Sequence, residues 1–584
     1  MTDVLLPLAV VVPIVAATLP LALGLRYDRV GWPIAAVGTT AVAGIAAAIA
    51  AEVVANGPFD HALGGFLPPV GIELVADRLS VAVLLLVAAV SVATLAFARV
   101  AGPRGNPFYS AYLLLVGGLV GMTLTGDLFN LFVFLEITGL TTYALIASDR
   151  SGASAYASLK YLVVGTVGAS LYLLGVGYVF LATGTLNMLD VQAQIVAQAG
   201  YGDPLVRASY AFIVTGLALK IAIFPVHSWQ PDAYQRAPDS VTTVVAALVS
   251  TTSAYALIRV TYTVFTVDFL AANEGIATAL LVVSTVSIVA GSALAAMQSN
   301  LKRMFAYSSV AQFGMIGAAV ALANETALLG GIVHLIGHGI MKFGLFLGIG
   351  LLALGYGTRQ MEDLASAARA APYTSGGVAV LGLALVGIPP SIGFLGKWYI
   401  GVGAVDAGLA GGGAVGIAVA AAIFVSTLFT LSYVARLLER FYFAGAGLPS
   451  DHGEVPGTGD DGDGAGDAAA TDGGRGDDHA ATDGGRGDDH AATDGGRGDD
   501  HAATDGGRGD DHAATDGGEA SPAKTADGLP APVEGAPRSS LVPDRVPTAP
   551  LLALGLAVLA TVALGFGGFA LAEWFDPFLT EAFA

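Results

Sequence analysis

Three of the six lysines and one glutamate lie inside long apolar stretches of this sequence, where charged side chains are rare. Lys220 lies in LALKIAIFP, Lys342 in GHGIMKFGLFLGIG, Lys397 in GIPPSIGFLGKWYI and Glu136 in GDLFNLFVFLEITGLTTYALI. If these stretches cross a membrane, each buried lysine costs about 2.5–3.5 kcal/mol on insertion scales. Because intramembrane charges often mark ion pathways, we treat these four residues as candidates for moving ions.

A buried lysine beside a carboxylate can act as a proton switch. Burial lowers the pKa of a lysine, and a nearby carboxylate raises it again. Separation of a Glu136–Lys220 pair would therefore release a proton, whereas a permanent pair would be structural; both interpretations stay open. Asp127, nine residues before Glu136, is expected in an ordinary role at the end of the same helix.

Two histidines extend the pattern around Lys342. His334, His338 and Lys342 follow one another at intervals of four residues, which places them on one face of a helix. Histidine titrates near neutral pH, so this stripe could relay protons. Buried structural histidines are the alternative. A two-histidine metal site would lack a nearby carboxylate, and no metal or cofactor is predicted.

Other polar groups lie nearer the ends of the apolar stretches. Lys160 and Lys302 lie near helix starts, where a lysine can extend its ammonium group to the membrane interface. A supporting part in proton transfer is the alternative for both. A polar loop network at the water boundary is predicted from four residues that follow a proline: His227, Asp232, Arg236 and Asp239.

The composition predicts a membrane protein. The 584 residues are 54% hydrophobic and only 12% charged, whereas soluble proteins average about 25% charged residues. The absence of cysteine excludes disulfides, thiolate chemistry and cysteine-ligated metals. The first apolar stretch lacks a basic start and a cleavage site, so we interpret it as a membrane span rather than a signal peptide.

Fourteen apolar stretches are long enough to cross a bilayer, which takes roughly 20 residues. They cover residues 3–25, 31–54, 79–99, 108–126, 128–148, 156–183, 207–224, 241–264, 276–297, 304–323, 327–355, 373–409, 412–437 and 549–572. The predicted fold is therefore an all-α integral membrane protein of about 14 transmembrane helices.

The seventh and twelfth spans are interrupted. The helix breakers are Pro225 and Pro231 in the seventh span, and Gly387, Pro389, Pro390 and Gly393 in the twelfth. Broken backbone in a membrane is tolerated only inside protein or beside water, and paired broken helices in two halves indicate a transport path. A packing kink is the alternative, but each break lies next to a lysine.

Basic loop residues predict the orientation. With the exception of Arg207, they follow every second span: Arg26, Arg29, Arg99, Arg104, Arg150, Arg236, Lys302, Arg303, Arg359, Arg369, Arg436 and Arg440. This alternation predicts that both termini lie outside and that the loop before the last span is cytoplasmic.

That loop is strongly acidic. Residues 451–548 hold 23 of the 46 acidic residues but only 7 of the 26 Lys and Arg. The 11-residue unit TDGGRGDDHAA begins at Thr471 and recurs at Thr482, Thr493 and Thr504. With almost no large apolar residues the segment cannot bury a core, so we predict disorder. Weak cation binding through its Asp and His residues is the alternative, and the composition suggests a salt-loving source.

Five motifs resemble the antiporter-like proton-translocating family, which includes large membrane subunits of respiratory complex I and of Mrp-type sodium/proton antiporters. The motifs are GDLFNLFVFLEI at 126–137, KIAIFPVHSWQPDAY at 220–234, NLKRMFAYSSVAQFG at 300–314, HLIGHGIMKFGLF at 334–346 and GIPPSIGFLGKW at 387–398. The first motif most resembles the D-type subunits of Mrp antiporters.

The resemblance implies two inverted five-helix repeats, each with one broken helix and one half-channel. It assigns the Glu136–Lys220 pair to the first half and Lys342 and Lys397 to the second. Half-channels are then expected in 127–264 and 276–442, after N-terminal helices in 1–126. The composition adds the acidic insert 446–547 before a last helix in 549–572.

One residue departs from the family pattern. The family usually carries a lysine on its eighth helix, and Thr251 stands at that position here. A threonine can hold water but cannot carry charge, which puts the link between the half-channels in doubt. The acidic insert is a second departure.

Three functions stay open. The chain is expected to be a secondary-transporter subunit of a sodium/proton antiporter, working with other membrane subunits, protons and Na+ in the plasma membrane. The alternatives are a proton-pumping subunit of a complex I-like or hydrogenase-like redox complex, and a non-transporting structural paralogue. No cofactor and no nucleic-acid partner are expected.

Overall fold

The structure, a computed structural model, describes residues 4–365, 367–444 and 548–583 of the chain. The predicted disordered insert, residues 446–547, lies outside the described residues.

The N-terminal part combines four long helices with a short hairpin. Its elements are α1 (Leu5–Gly24), α2 (Gly31–Asn56), β1 (Phe59–Ala62), β2 (Glu73–Ala76), α3 (Arg78–Ala101) and α4 (Asn106–Leu124). The two strands are antiparallel, with Phe59 opposite Ala76. Asp77 then caps α3 by accepting a hydrogen bond from the Ser80 amide, which satisfies a backbone donor at the helix start.

The central part carries the first interrupted helix. Its elements are α5 (Leu128–Ala147), α6 (Gly152–Thr183), α7 (Met188–Gln194), α8 (Pro204–Ile221), α9 (Trp229–Arg236) and α10 (Asp239–Ala272). The helical stretch α10 contains π-helical turns at Val245–Val249 and Val260–Phe265.

The remaining part carries the second interrupted helix. Its elements are α11 (Glu274–Ala296), α12 (Leu301–Ala321), α13 (Glu325–Tyr356), α14 (Ala367–Ala370), α15 (Pro372–Val386), α16 (Ile392–Ala407), α17 (Gly413–Tyr442), α18 (Thr548–Phe566) and α19 (Gly568–Phe583).

Thirteen helices among these described residues are long and apolar enough to cross a membrane. The remaining predicted span, 373–409, is the interrupted pair α15 and α16. The all-α membrane fold is therefore confirmed. The two inverted repeats remain a prediction. α19, which follows the last span directly, was not predicted.

Both interruptions lie near the predicted breakers. The chain leaves helical geometry after Ile221 and after Val386. Ala222 and Gly387 are the first residues beyond these ends, and both adopt left-handed backbone conformations, with φ of 60° and 95°. Pro231 lies instead in the first turn of α9, where a proline removes no helical hydrogen bond.

The centre of the bundle is formed by three helices. α10, α12 and α13 are almost wholly buried, whereas about two-thirds of the residues in α1, α2 and α18 are not buried. A helix that is apolar on all sides yet fully buried belongs to the interior of a bundle. The histidine and lysine stripe of the second half therefore lies on one of the most deeply buried helices.

Candidate functional site

Lys220 and Glu136 form an ion pair inside the bundle. The Lys220 Nζ lies 3.1 Å from Oε1 of Glu136 on α5. The Lys220 side chain is 3% exposed and the Glu136 side chain 22%. The pair therefore joins a fully buried cation to a carboxylate that reaches the surface of the bundle.

Close helix packing places Lys220 at this position. α8 lies against α6 so tightly that a Cβ at Gly216 would stand 2.5 Å from the Gly168 carbonyl oxygen. Small residues allow membrane helices to approach in this way. The consequence is that α8 directs its last turn, with Lys220, toward α5.

A tyrosine completes the first cluster. The Tyr143 hydroxyl lies 3.5 Å from the Lys220 Nζ. Gly139 and Gly165 leave the space that these groups occupy, because an added Cβ would lie 3.0 Å from the Lys220 Nζ and 2.0 Å from the Tyr143 hydroxyl, respectively. Tyr143 was not predicted, although it lies seven residues after Glu136 and so on nearly the same helical face.

The interruption after α8 is held by side chains. The Trp229 indole donates a hydrogen bond to the Leu219 carbonyl at 2.9 Å, and the Ser250 hydroxyl lies 3.4 Å from the Lys220 carbonyl. The Trp229 ring also stacks on Tyr161, with 3.8 Å between the ring centroids. Carbonyls freed at a helix end need such partners inside a membrane.

Asp232 is the centre of a three-residue ion-pair cluster. Its carboxylate accepts hydrogen bonds from Lys160 at 2.6 Å and from Arg303 at 2.9 Å. Burial raises the pKa of the Asp232 carboxyl, but the hydrogen bonds and charges of Lys160 and Arg303 outweigh burial and hold that pKa below its ordinary value. Asp232 on α9 is thus tied to α6 and α12.

Asp239 is the centre of a second cluster. It accepts hydrogen bonds from Lys302 at 3.2 Å and from Arg359 at 2.6 Å and 3.0 Å. Lys302 also donates to the Ala237 carbonyl at 2.6 Å, and it is 1% exposed.

These clusters correct two sequence interpretations. Lys302 does not extend to the membrane interface, because Asp239 and a backbone carbonyl bind it inside the protein. Lys160 pairs with Asp232, but its side chain stays 29% exposed, so both interpretations of Lys160 stay open. The predicted loop network also differs, since the two carboxylates bind cations from other helices, whereas the His227 ring stacks on Phe224.

The second half contains the predicted histidine and lysine stripe. His334, His338 and Lys342 are all fully buried on α13. The Lys342 ammonium binds the Phe305 carbonyl at 2.8 Å and the Ser308 hydroxyl. The His334 Nε2 lies 2.8 Å from Gln312 Oε1. The stripe therefore faces α12 along its length.

Lys397 lies where the second interrupted helix ends. Its Nζ donates to the carbonyls of Leu385 and Val386 at 2.8 Å and 3.0 Å. These are the last residues of α15, and a helix C-terminus attracts cations. Gly396 lets α16 approach α13, since a Cβ there would lie 2.9 Å from Nδ1 of His334. Lys397 therefore lies on a helix that packs directly against the stripe of His334, His338 and Lys342.

Two further predicted residues have simple placements. Asp127 caps α5 by accepting a hydrogen bond from the Asn130 amide at 2.7 Å, in agreement with the predicted helix-end role. Thr251 is fully buried on α10, and its hydroxyl has no hydrogen-bond partner among the described residues.

An ion pair between Asp77 and Arg259 was missed. The guanidinium binds both carboxylate oxygens, at 2.6 Å and 2.8 Å. Burial raises the pKa of Asp77, but the charge and hydrogen bonds of Arg259, together with bonds from Ser80, lower it below the ordinary value. The only local sequence signal was an Asp directly before an apolar run, which is typical of a helix cap.

The described part of the chain contains no group of three or more His, Asp or Glu residues that could hold a metal ion. The charged groups are arranged in pairs and clusters, or bound to backbone carbonyls. Such an arrangement can take up, hold and release protons, because each of the five lysines that the structure describes has a partner that stabilises its ammonium form.

Comparison with known proteins finds a matching family. Residues 125–428 match the family described as NADH:quinone oxidoreductase/Mrp antiporter, transmembrane. The chain is 38% identical to NADH-quinone oxidoreductase subunit N of Desulforudis audaxviator, over 77% of this chain and 88% of that protein.

Antiporter proteins are similar as well. The chain is 30% identical to the D-type subunit of the Na(+)/H(+) antiporter of Alkalihalophilus pseudofirmus, over 60% of this chain and 71% of that protein. A chain in the solved Mrp complex from Dietzia sp. is 25% identical and superposes with a TM-score of 0.72, covering 100% of this chain and 99% of that one.

Proposed function

The chain belongs to the NADH:quinone oxidoreductase/Mrp antiporter transmembrane family, and on that premise we propose that it is the proton-translocating subunit of a multi-subunit Na+/H+ antiporter. The observation that carries this proposal is the 3.1 Å Glu136–Lys220 pair beside the interruption of α8. A buried pair next to interrupted backbone can change its separation without unfolding a continuous helix.

In this mechanism the Glu136–Lys220 pair switches between two states. While the two groups are close, the carboxylate stabilises the Lys220 ammonium. When they separate, burial favours the neutral amine, and one proton leaves. The receiving groups are the second-half residues: Lys342, His338, His334 and Lys397.

Sodium coupling is supported by similarity to Na(+)/H(+) antiporter subunits of the D type. A second candidate is a proton-pumping subunit of a complex I-like redox complex, which the 38% identity to a subunit N favours. The proton path is the same in both cases. The two functions differ in what drives the opening of the pair, an Na+ gradient or a redox reaction in other subunits.

The surface around Glu136 supports assembly with other membrane subunits. Phe129, Glu136 and Leu140 form one stripe of α5, and both apolar residues are largely exposed. A partly exposed carboxylate facing lipid is unfavourable, whereas a neighbouring subunit can cover it. We place the complex in the plasma membrane, with both termini outside and the acidic insert in the cytoplasm, as the basic loop residues indicate.

The test is Na+-dependent collapse of a pH gradient in inverted vesicles. The gene is expressed with its neighbouring genes in an antiporter-deficient host, as wild type and as Lys220→Ala. Na+-dependent exchange that is lost in the variant supports the proposal. Absence of exchange from an assembled wild-type complex rejects antiport, and proton pumping driven by a redox substrate would then identify the second candidate.

A further inference from the structure

A long apolar groove runs along the outside of the bundle between α3 and α18. Its volume is about 890 Å³, and α13 forms its floor, where Ile336 and Phe343 line it and are buried. Leu552 and Leu556 of α18 line its open side and are 67% and 65% exposed. This α3–α18 groove therefore faces the lipid around the bundle.

Small side chains on both walls leave the space of the groove. The α3 wall contains four alanines, at positions 82, 89, 93 and 96, and the α18 wall contains four more, at positions 549, 553, 557 and 560. The spacing within each set places its members on one face of the helix. An alanine side chain adds one carbon to the backbone, so the two helices do not fill the space between them.

The groove has the length of a membrane crossing. Arg78 and Arg99 flank its α3 wall, about 32 Å apart at 1.5 Å per residue, and the hydrocarbon core of a bilayer is about 30 Å thick. Each guanidinium lies against a tryptophan ring, Arg78 at 5.5 Å from Trp574 and Arg99 at 4.4 Å from Trp32. Tryptophan is enriched at membrane interfaces, so these two pairs mark the two surfaces of the membrane.

α19 is held at the Arg78 end of the groove. The Arg78 Nη1 donates hydrogen bonds to the carbonyls of Glu573 and Trp574, at 3.1 Å and 3.3 Å. The Trp574 indole donates in return to the Arg78 carbonyl at 3.0 Å. Trp574 also lines the groove. The guanidinium therefore lies at the mouth of the groove, one helical turn before Ala82.

Arg78 has hydrogen-bond donors to spare at this position. A guanidinium carries five N–H groups, and among the described residues only the two carbonyls of α19 accept from the Arg78 side chain. Its Nε and Nη2 donate to no residue that the structure describes, and the side chain is partly exposed. The planar fork of arginine fits phosphate oxygens, which lie at the level of the lipid headgroups.

We propose that the α3–α18 groove binds one phospholipid, with its phosphate on Arg78 and one acyl chain along the alanines of α3 and α18. From the level of Arg78 such a chain crosses half of the hydrocarbon core, about 15 Å, and reaches about as far as Ala89. A helix of another subunit would use the apolar walls alone and leave the Arg78 donors unused. The site does not depend on which ion the complex exchanges.

The bound lipid stabilises the C-terminal helices. α18 forms one wall of the groove, and α19 is bound to Arg78 at its mouth. Phe578 of α19 lies 5.5 Å from the Arg259 guanidinium, which is paired with Asp77. The lipid therefore reinforces the packing of α19 over this ion pair.

The test is photolabelling of the complex, copurified with its partner subunits and reconstituted in vesicles. The vesicles contain a trace of phosphatidylglycerol, or of diacylglycerol without the phosphate, each with a diazirine in one acyl chain. Mass spectrometry locates the labelled residues. In the wild type we expect phosphatidylglycerol to label Ala560 and Leu564 in the groove on the order of tenfold more than diacylglycerol does.

The adjacent residue Leu559 is the matched control. It is 66% exposed and does not line the groove, so it reports contact with ordinary bilayer lipid at nearly the same depth. We expect both probes to label Leu559 equally in every variant.

Two substitutions separate the phosphate contact from the acyl-chain contact. Arg78→Gln should reduce phosphatidylglycerol labelling in the groove to the diacylglycerol level, whereas Arg104→Gln, at an exposed position between α3 and α4, should label like the wild type. Ala89→Phe fills the groove from an exposed position without touching the contacts of α19, and it should reduce groove labelling by both probes. If Arg78→Gln does not assemble, Ala89→Phe and the two probes on the wild type decide the question.

Headgroup-dependent labelling that is confined to the groove and is lost in these variants supports the lipid site. Equal groove labelling by the two probes, or groove labelling unchanged by the substitutions, overturns it, because ordinary bilayer lipid then occupies the groove. An unlabelled groove beside a labelled Leu559 also overturns it and indicates that another subunit covers the groove. Loss of groove labelling in excess inorganic phosphate would show that Arg78 binds free phosphate instead. None of these results depends on ion exchange, so the lipid site and the proposed function fail or stand separately.

Discussion

The Nζ of Lys220 lies 3.1 Å from Oε1 of Glu136, and the helix that carries Lys220 ends one residue later, at Ile221. The lysine is anchored to a helix end, whereas Glu136 lies in the middle of the continuous helix α5. A change in the seven-residue connection between α8 and α9 can therefore alter the separation of the two charges. This arrangement is what a proton switch requires.

Glu136→Gln is expected to abolish most ion exchange. The amide keeps the size of the side chain but cannot stabilise the Lys220 ammonium, so uptake of the proton becomes unfavourable. We expect a loss on the order of 100-fold in vesicle exchange assays, with unchanged assembly. Glu52→Gln is the control, because among the described residues the Glu52 carboxylate accepts a side-chain hydrogen bond only from Asn56 of the peripheral helix α2. Exchange near the wild-type rate in Glu136→Gln would exclude the switch.

Lys397→Met is expected to block the second half. Methionine fills similar space but cannot bind the carbonyls of Leu385 and Val386 or hold a proton. Exchange should fall on the order of 100-fold, measured in the same vesicles. Trp398→Phe, at the exposed neighbouring position, should leave exchange unchanged. Retention of half or more of the wild-type rate in Lys397→Met would remove Lys397 from the path.

Asp77→Asn is expected to destabilise the protein by roughly 3–5 kcal/mol, because it leaves the buried Arg259 guanidinium without its carboxylate. The pKa of Asp77 is lowered in the folded protein. The stabilisation by ionised Asp77 is therefore complete above the pKa of this carboxyl in the unfolded chain, about 3.9. It is lost as the pH falls through the lower pKa of the folded protein.

Thermal unfolding in detergent tests this dependence. The difference in unfolding temperature between wild type and Asp77→Asn should be constant from pH 7 to about pH 5. It should shrink below about pH 4. Asp28→Asn, at an exposed position, is the control and should unfold like the wild type at every pH. A difference in unfolding temperature that grows on acidification would contradict the Asp77–Arg259 ion pair.

Asp232→Ala is expected to slow exchange without touching Lys220. Removing the carboxylate leaves Lys160 and Arg303 without their shared partner and loosens α9. Each partly exposed ion pair contributes about 1 kcal/mol or less to stability. If α9 positions the Glu136–Lys220 pair, this energy corresponds to an exchange rate that is about fivefold lower. Initial rates of Na+-dependent exchange measure the effect, with Asp268→Ala as the exposed control.

The charge-conserving variant gives the matching positive result. Asp232→Glu should recover most of the exchange rate because both cations keep an anionic partner. Equal rates for the alanine and glutamate variants would mean that the charge of Asp232 has no positioning role.

Much of the fold was predictable because the membrane imposes it. Apolar runs of about 20 residues can only be spanning helices, and every predicted span coincides with a described helix or interrupted helix pair. α19 was missed because its acidic residues Glu573, Asp576 and Glu581 break the apolar run, so that hydropathy alone gives no signal there.

The candidate site was predictable only in part. Glu136 and Lys220 stand out because each is a charge within an apolar run. The partners of Lys302 and Arg259 lie 63 and 182 residues away in sequence, and no local pattern indicates them. For Lys302, position near a helix start suggested an exposed ammonium group, whereas the packing of α10 against α12 encloses it.

The most direct test of the Glu136–Lys220 switch is the rate of Na+-dependent exchange by Lys220→Arg in inverted vesicles, alongside wild type and with assembly checked by copurification of the partner subunits. Arginine keeps the positive charge and can still pair with Glu136, but it does not release its proton in proteins. We predict an assembled complex without exchange. Exchange by Lys220→Arg at the wild-type rate would contradict it, because the positive charge alone would then be sufficient.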